Sequence, residues 1–306
     1  MEIQCNGAGN SRPGAGIACK KVPVINSKGV GVQCPAVHPF HMIIFNSDLD
    51  NTLIYSYKHP IGSDKRCVEI YQGREISFIT HRTYELLKAV TEKILLVPTT
   101  TRTVEQYNRI DLGIGGFRYA LVCNGGVLLA DGREDEEWYQ ESLSLAAPAR
   151  GEMETAAGIL QADINRIFEL RFIQDLFLFT KSSDPEGTVN ALKGKLDLSA
   201  VDIFSNGMKV YVVPKELSKG RGVRRLKERL GGETVIAAGD SEFDVSMLEY
   251  ADYAIAPEGL ACRKRKDKAV TAADGSLLFS EKVLETVLGY IKKCVEPPVS
   301  DTFEPF

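Results

Sequence analysis

The stretch His41-Met42-Ile43-Ile44-Phe45-Asn46-Ser47-Asp48-Leu49-Asp50-Asn51-Thr52-Leu53 decides how the rest of the chain is read. Met42 to Phe45 is a short apolar run, the pattern of a buried strand. Polar residues follow at once, and Asp48 and Asp50 stand two positions apart. A buried strand that delivers paired carboxylates at its C-terminal end is where an open α/β sheet carries its chemistry. The same residues taken alone also suit an acidic turn that caps a helix. The remaining sequence separates the two readings.

Two further apolar runs end in the same way. Ile94-Leu95-Leu96-Val97 is followed by Pro98-Thr99-Thr100-Thr101-Arg102, with a helix expected from about Val104. Hydroxyls and free N–H groups at such a junction form an anion site or a plain helix cap. Thr234 to Ala238 runs into Gly239-Asp240-Ser241-Glu242-Phe243-Asp244. Asp240 and Asp244 are four residues apart, so both can face one point. Just before that strand, Ser218 caps an expected helix from about Gly220 to Leu230, with Gly231 as its stop. Lys219 lies at the helix start, where a cation opposes the helix dipole. The strand Tyr253–Ala256 and a helix from about Glu281 to Lys293 complete the pattern.

Between these blocks the periodicity changes. Cys67–Tyr71 and Glu75–Ile79 alternate around Gln72-Gly73-Arg74 and predict a hairpin flap beside the acidic residues. A helix is expected from about Arg82 to Thr91, and a strand from Tyr119 to Cys123 that ends in the turn Asn124-Gly125-Gly126. From 127 to 213 hairpins mix with helices. Leu128–Ala130 and Trp138–Gln140 read as a hairpin, Glu152 to Phe168 as a helix, Leu176 to Phe179 as a strand and Thr188 to Lys195 as a short helix. Val201–Ser205 and Met208–Val213 flank Asn206-Gly207, the strongest hairpin signal in the chain. The expected division is a flexible tail over 1–40, a core over 41–126 and 214–296, an inserted α+β domain over 127–213, and a second tail over 297–306. The tail carries one expected short strand near Val22–Ile25, and Arg263-Lys264-Arg265-Lys266 reads as a solvated loop.

Composition sets the outer limits. The chain has 306 residues, 44% hydrophobic and 25% charged, a globular profile. A net charge of −4 argues against a general nucleic-acid surface, so an anionic substrate needs a local cation or a metal. No apolar run is long enough for a membrane span, and the first residues lack a signal-peptide pattern. The seven cysteines include no C-x-x-C pair, which argues against a disulfide framework or a zinc site and for a reducing cytoplasm. Cys123 is expected to be a small core residue.

Asp48-x-Asp50-x-Thr52, Thr100 before Thr101-Arg102, Lys219 in Ser-Lys-Gly and Gly239-Asp240-Ser241-x-x-Asp244 resemble, in order, the four motifs of the haloacid dehalogenase (HAD) superfamily. Three consecutive threonines leave the second motif open by one residue, and the spacing to Arg102 favours Thr100. The resemblance spans about 41 to 293. It implies a Rossmann-like parallel-sheet core with an α+β C2-type cap, as in the Cof-like and sucrose-phosphate phosphatase branch. It also implies a Mg²⁺-dependent phosphomonoesterase acting on a small phosphorylated metabolite such as a sugar phosphate. Asp48 would be the nucleophile and Asp50 the general acid and base, with a pKa raised by its neighbours. Thr100 and Lys219 would hold the phosphoryl oxygens. Mg²⁺ would be bound by Asp48, Asp240, the backbone carbonyl of Asp50, and Asp244 directly or through another group. Trp138, Lys181 and Lys209 are candidates for reading the leaving group and stay outside this site. A phosphotransferase or phosphomutase of the same superfamily, and a non-catalytic phosphate-binding module, remain as alternatives. Neither a nucleic acid nor a membrane is expected as partner, and the oligomeric state is open.

Overall fold

In a computed structural model the structure describes residues 42–260 and 277–295. The expected tails, the strand near Val22–Ile25 and the basic run at 263–266 lie outside the described residues. The chain runs β1 (Ile43–Ser47), β2 (Tyr55–Ser56), β3 (Lys65–Tyr71), β4 (Arg74–Thr80), α1 (His81–Thr91), β5 (Leu95–Pro98), α2 (Val104–Tyr107), β6 (Tyr119–Val122), β7 (Val127–Ala130) and β8 (Arg133–Glu134). It continues α3 (Glu136–Ala146), α4 (Arg150–Ala162), β9 (Arg171–Ile173), β10 (Phe177–Lys181), α5 (Pro185–Lys193), β11 (Val201–Asn206) and β12 (Lys209–Pro214). Last come α6 (Lys219–Leu230), β13 (Thr234–Ala238), α7 (Val245–Tyr250), β14 (Tyr253–Ile255) and α8 (Phe279–Val295). No helix among the described residues is long and apolar enough to cross a membrane.

β1 is apolar from Ile43 to Phe45 because both its faces are covered. Ile43 and Phe45 pack with Leu87 of α1 and Val283 and Leu284 of α8. Ile44 packs on the other side with Val223 and Leu226 of α6 and Met247 of α7. Alternate residues of a strand point to opposite faces, so a sheet between two helical layers needs apolar residues at every position. The parallel sheet has the order β14-β13-β1-β5. A parallel bridge from Thr99 to Leu121 places β6 beside the end of β5. The carboxyl ends of β13, β1 and β5 therefore lie side by side.

The flap forms as expected. β3 and β4 pair antiparallel, and β2 pairs with β4. Gln72 and Gly73 both take positive φ, +50° and +73°, the conformation a tight two-residue hairpin turn requires.

Two expected elements differ. Trp138–Gln140 is helix, not strand, because Asp135 caps α3 by accepting a hydrogen bond from the Trp138 N–H at 2.9 Å. The partner of β7 is Arg133–Glu134, joined through Asp131 and Gly132 at positive φ. The helix expected to reach Phe168 ends at Ala162, and Ile164 is 96% exposed. Asp163 stops it: its carboxylate accepts from the Asn165 N–H at 2.9 Å and from the Thr188 hydroxyl at 2.5 Å. Such local side-chain bonds compete with helix continuation.

β7 pairs along its length with β6, and Trp138 packs with Ile44, Val97 and Val223. The division expected at 127 thus falls inside a hairpin attached to the parallel sheet. On this ground we place the start of the cap after α3. The remaining block is an antiparallel sheet, order β11-β12-β10-β9, with α4 and α5 over one face. Its other face carries Phe177 and Tyr211, which pack with Val122, Leu129 and Phe243 of the core.

Candidate active site

The loop after β1 is folded by its own apolar residues. Leu49 and Leu53 are fully buried, and the Leu49 carbonyl accepts hydrogen bonds from the N–H groups of Thr52, Leu53 and Ile54. Asn51 takes φ +59°, a conformation Asn tolerates better than most residues. The Asp48 N–H is tied to the Ala238 carbonyl at 2.9 Å, which fixes the end of β1 against the end of β13.

Lys219 is the first residue of α6, capped by the Ser218 side chain. It is 1% exposed, an extreme burial for a lysine. Its Nζ lies 2.5 Å from Asp48 Oδ1 and 2.6 Å from Asp244 Oδ1. The following Gly220 lets α6 approach α7: a Cβ there would lie 2.3 Å from the Ser246 carbonyl oxygen. Gly220→Ala is expected to cost about 1–3 kcal/mol of stability, because backbone rather than a movable side chain blocks the methyl. Chemical denaturation checks it; an unchanged midpoint would refute the close approach.

Asp244 organises the third loop. Its Oδ2 accepts from the Asp240 N–H at 3.1 Å, the Ser241 N–H at 3.0 Å and the Ser241 hydroxyl at 2.9 Å. A Cβ on Gly239 would lie 2.3 Å from Asp244 Cβ, so the loop closes only with glycine there. Asp240 is partly exposed and accepts a hydrogen bond from the Thr52 hydroxyl at 3.4 Å. Asp48, Asp240 and Asp244 each present a carboxylate oxygen within 4.8 Å of the others. Their three negative charges meet the single positive charge of Lys219, a surplus of two. Hard oxygen donors with that surplus suit a divalent cation such as Mg²⁺.

The same surplus governs proton affinity. Burial first, then Asp244 and Asp50, carry the Asp48 carboxyl well above the usual range against the pull of Lys219. Burial and then Asp244 push Asp240 up to about 6, with Lys219, Asn51 and Thr52 opposing. Burial works against the charge on Lys219, but Asp244 and Asp48 outweigh it and raise its pKa.

Asp50 lies outside the carboxylate cluster. Its half-exposed side chain is held by Arg102 through two hydrogen bonds of 2.7 Å, Nε to Oδ2 and Nη2 to Oδ1. Burial alone would raise its pKa, but hydrogen bonds and charge from Arg102, with help from Lys209 and Lys219, lower it. The expectation that its neighbours raise it is therefore wrong for this geometry. Thr100 is buried at the end of β5, and its hydroxyl accepts from the Arg102 N–H at 3.2 Å. Among the described residues it bonds neither Asp48 nor Lys219. Trp138 is a core residue: its Nε1 donates to the Gly125 carbonyl at 3.1 Å, and the Arg225 guanidinium lies 3.8 Å from its ring. Cys123 is buried as expected.

Sequence reading missed the group behind Asp50. Arg102 also donates to Glu69 of the flap at 2.9 Å, and Glu69 accepts from Ser77 at 2.6 Å and Arg109 at 3.1 Å. The Glu69 side chain has no exposed surface. Burial opposes its ionisation, but Arg102, Ser77 and Arg109 win and lower its pKa. A lowered carboxylate stabilises the fold fully above its ordinary value of 4.5 and loses that contribution as pH falls through the folded value. Wild type should thus lose stability below pH 4.5 more steeply than Glu69→Gln. Denaturation midpoints from pH 3 to 7 check this, and parallel profiles would contradict it.

Comparison with known proteins finds similarity in sequence and in fold. Residues 132–258, which include Lys219, Asp240 and Asp244, match the model of the haloacid dehalogenase-like hydrolases. A phosphoglycolate phosphatase of Methanopyrus kandleri is 25% identical over 190 residues, 59% of this chain and 79% of that protein. One from Methanothrix thermoacetophila is 29% identical over 142 residues, 45% of this chain and 58% of that protein. The sucrose-phosphatase of Synechocystis, solved with sucrose and phosphate, has the same fold at a TM-score of 0.57. It shares 14% identity, covering 82% of this chain and 98% of its own. Residues 132–258 are thus similar to the haloacid dehalogenase-like hydrolases, and the chain shares the fold of the sucrose-phosphatase.

Proposed function

We propose that this protein is a Mg²⁺-dependent phosphatase that hydrolyses a small phosphorylated metabolite through an aspartyl-phosphate on Asp48. The observation that carries the reading is the buried Asp48 carboxylate, held by Lys219 beside Asp240 and Asp244 where three parallel strands end. Similarity to proteins named phosphoglycolate phosphatase and sucrose-phosphatase supports a small phosphorylated acid or sugar as substrate.

Asp48, Asp240 and Asp244 would hold Mg²⁺, with the Asp50 carbonyl. The bound cation would offset charge on the phosphate and so ease attack by an anion. Lys219 Nζ holds Asp48 Oδ1 and so fixes how the attacking carboxylate is turned. The bond from Asp48 to phosphorus forms as the bond to the leaving oxygen breaks, and that oxygen takes its proton from Asp50. A water then attacks phosphorus and gives its proton to Asp50. The Asp48–phosphorus bond breaks and inorganic phosphate leaves. Lys219 and Thr100 steady the equatorial oxygens.

Arg102 keeps Asp50 ionised in the resting geometry, which suits the base step. The acid step needs a proton on Asp50, and an arriving phosphate dianion favours one by repelling the carboxylate's charge. Arg102 also fixes where the carboxylate points. Metal-dependent phosphate release from phosphorylated sugars, acids and an aryl phosphate, lost in EDTA, is the expected result. A panel with no release in Mg²⁺, or with phosphate passed only to an added acceptor alcohol, would overturn the reading.

A further inference from the structure

The cap face turned to the core carries two lysines that no hydrolytic step requires. Lys181 of β10 and Lys209 of β12 are directly opposite partners in the antiparallel sheet. Phe179 and Tyr211 are the next pair on that face, and Phe204 pairs with Tyr211 from β11. The face meets the catalytic loop at Phe243, whose ring is 4.4 Å from Phe204 and 5.0 Å from Tyr211. Phe243 lies between Asp240 and Asp244 in sequence, so this face meets the loop that carries two of the three clustered carboxylates.

Like charges placed opposite one another destabilise a sheet pair. Neither lysine forms an ion pair among the described residues. Lys181 Nζ rests 4.9 Å from the centre of the Phe168 ring. The nearby Arg171 is matched by Glu169. Lys209 is solvent-accessible and feels Asp50, Lys181 and Arg102, and crowding and the two cations lower its pKa. Asp50 is already held by both nitrogens of the Arg102 fork. Lys209 therefore lies within electrostatic reach of Asp50, with Lys181 directly opposite it, and neither lysine has an ion-pair partner among the described residues.

We propose that Lys181 and Lys209 form an anion subsite on the cap for the leaving group. The substrate class is then a phosphomonoester whose leaving group carries its own negative charge, a carboxylate or a second phosphate. The inference rests on the phosphatase reading above and narrows it. The phosphoryl group lies at Asp48, and the second anion reaches across to the cap. Aromatic rings at Phe179, Phe204 and Tyr211 wall the space between.

The test compares kcat/KM for 2-phosphoglycolate, 3-phosphoglycerate and fructose 1,6-bisphosphate with glycerol 3-phosphate and glucose 6-phosphate, in Mg²⁺. At least one anionic leaving group should exceed the neutral ones by about 10-fold or more, as a charge-assisted hydrogen bond allows. Which arm responds separates carboxylate from phosphate. Lys181→Met and Lys209→Met should each lower the anionic-to-neutral ratio by about 10-fold, mostly through KM, while Lys209→Arg keeps it. Equal rates on both classes, or variants that slow both in parallel, would overturn the subsite and leave the phosphatase reading standing. Parallel loss would instead mean that Lys209 acts only through Asp50. No release from any compound would overturn the phosphatase reading, and this inference with it.

Discussion

Asp48→Asn is expected to lower phosphate release by at least about 10⁴-fold while leaving the fold intact. The Asp48 carboxylate lies at the end of β1 against Lys219, placed to attack, and the amide is a poor nucleophile of the same shape. The substitution removes one of three clustered negative charges, so stability should hold or rise. The Lys219 ammonium keeps Asp244 as a partner at 2.6 Å. The check is kcat on an aryl phosphate together with a denaturation curve. Activity within 10-fold of wild type would end the covalent mechanism, whatever the fold does. Loss of activity together with loss of the folded state would leave the mechanism without support from this variant, and Asp48→Glu, which keeps the charge, would then be compared.

Lys219→Met is expected to cost about 3–5 kcal/mol of stability, the size seen when one partner of a buried ion pair is removed. The lysine is 1% exposed and serves two carboxylates that are themselves buried. Without it, three carboxylates crowd one site with no ion-pair partner for Asp48 or Asp244 among the described residues. Added Mg²⁺ should return part of the lost stability, because a cation that binds only the folded state stabilises it by mass action. Activity should fall with it, since the same ammonium steadies the phosphoryl oxygens. Urea denaturation with and without Mg²⁺ gives both numbers. A loss below about 1 kcal/mol would show that Lys219 is not the counter-charge of this cluster.

The core was legible because its physics is local. Ile43 to Phe45, Leu95 to Val97 and Val235 to Ala238 are apolar at consecutive positions, as strands covered on both faces must be, and each ends in polar residues. Alternation on both sides of Gln72-Gly73-Arg74 announced the flap, and Asn206-Gly207 announced the second hairpin, although Asn206 ends β11 and the turn itself is Gly207-Met208, with Gly207 at φ +55°. Trp138 was misread because an aromatic among polar residues suits a strand, whereas the Asp135 cap that starts α3 acts through a single hydrogen bond. Glu69 gave no signal: in an alternating flap strand it looks like a solvent-facing acid. Its burial depends on Arg102, 33 residues away, and on Arg109, 40 residues away. The direction of the Asp50 pKa was lost for the same reason. Arg102 served in the sequence only to fix which threonine ends the second motif, and its bidentate grip on Asp50 exists only once β1 and β5 are side by side. Lys181 and Lys209 were visible as lysines, but their opposition across one hairpin face needs the register of β10 against β12.

The measurement that reaches the central claim most directly is chemical trapping of the covalent enzyme. Enzyme turning over an aryl phosphate in Mg²⁺ is quenched, reduced with borohydride and digested, and the peptide containing Asp48 is read by mass spectrometry. Borohydride converts an aspartyl-phosphate, but not a free aspartate, to homoserine. The account predicts homoserine at position 48, dependent on substrate. Homoserine at another aspartate, or none in enzyme shown to be releasing phosphate, would contradict it.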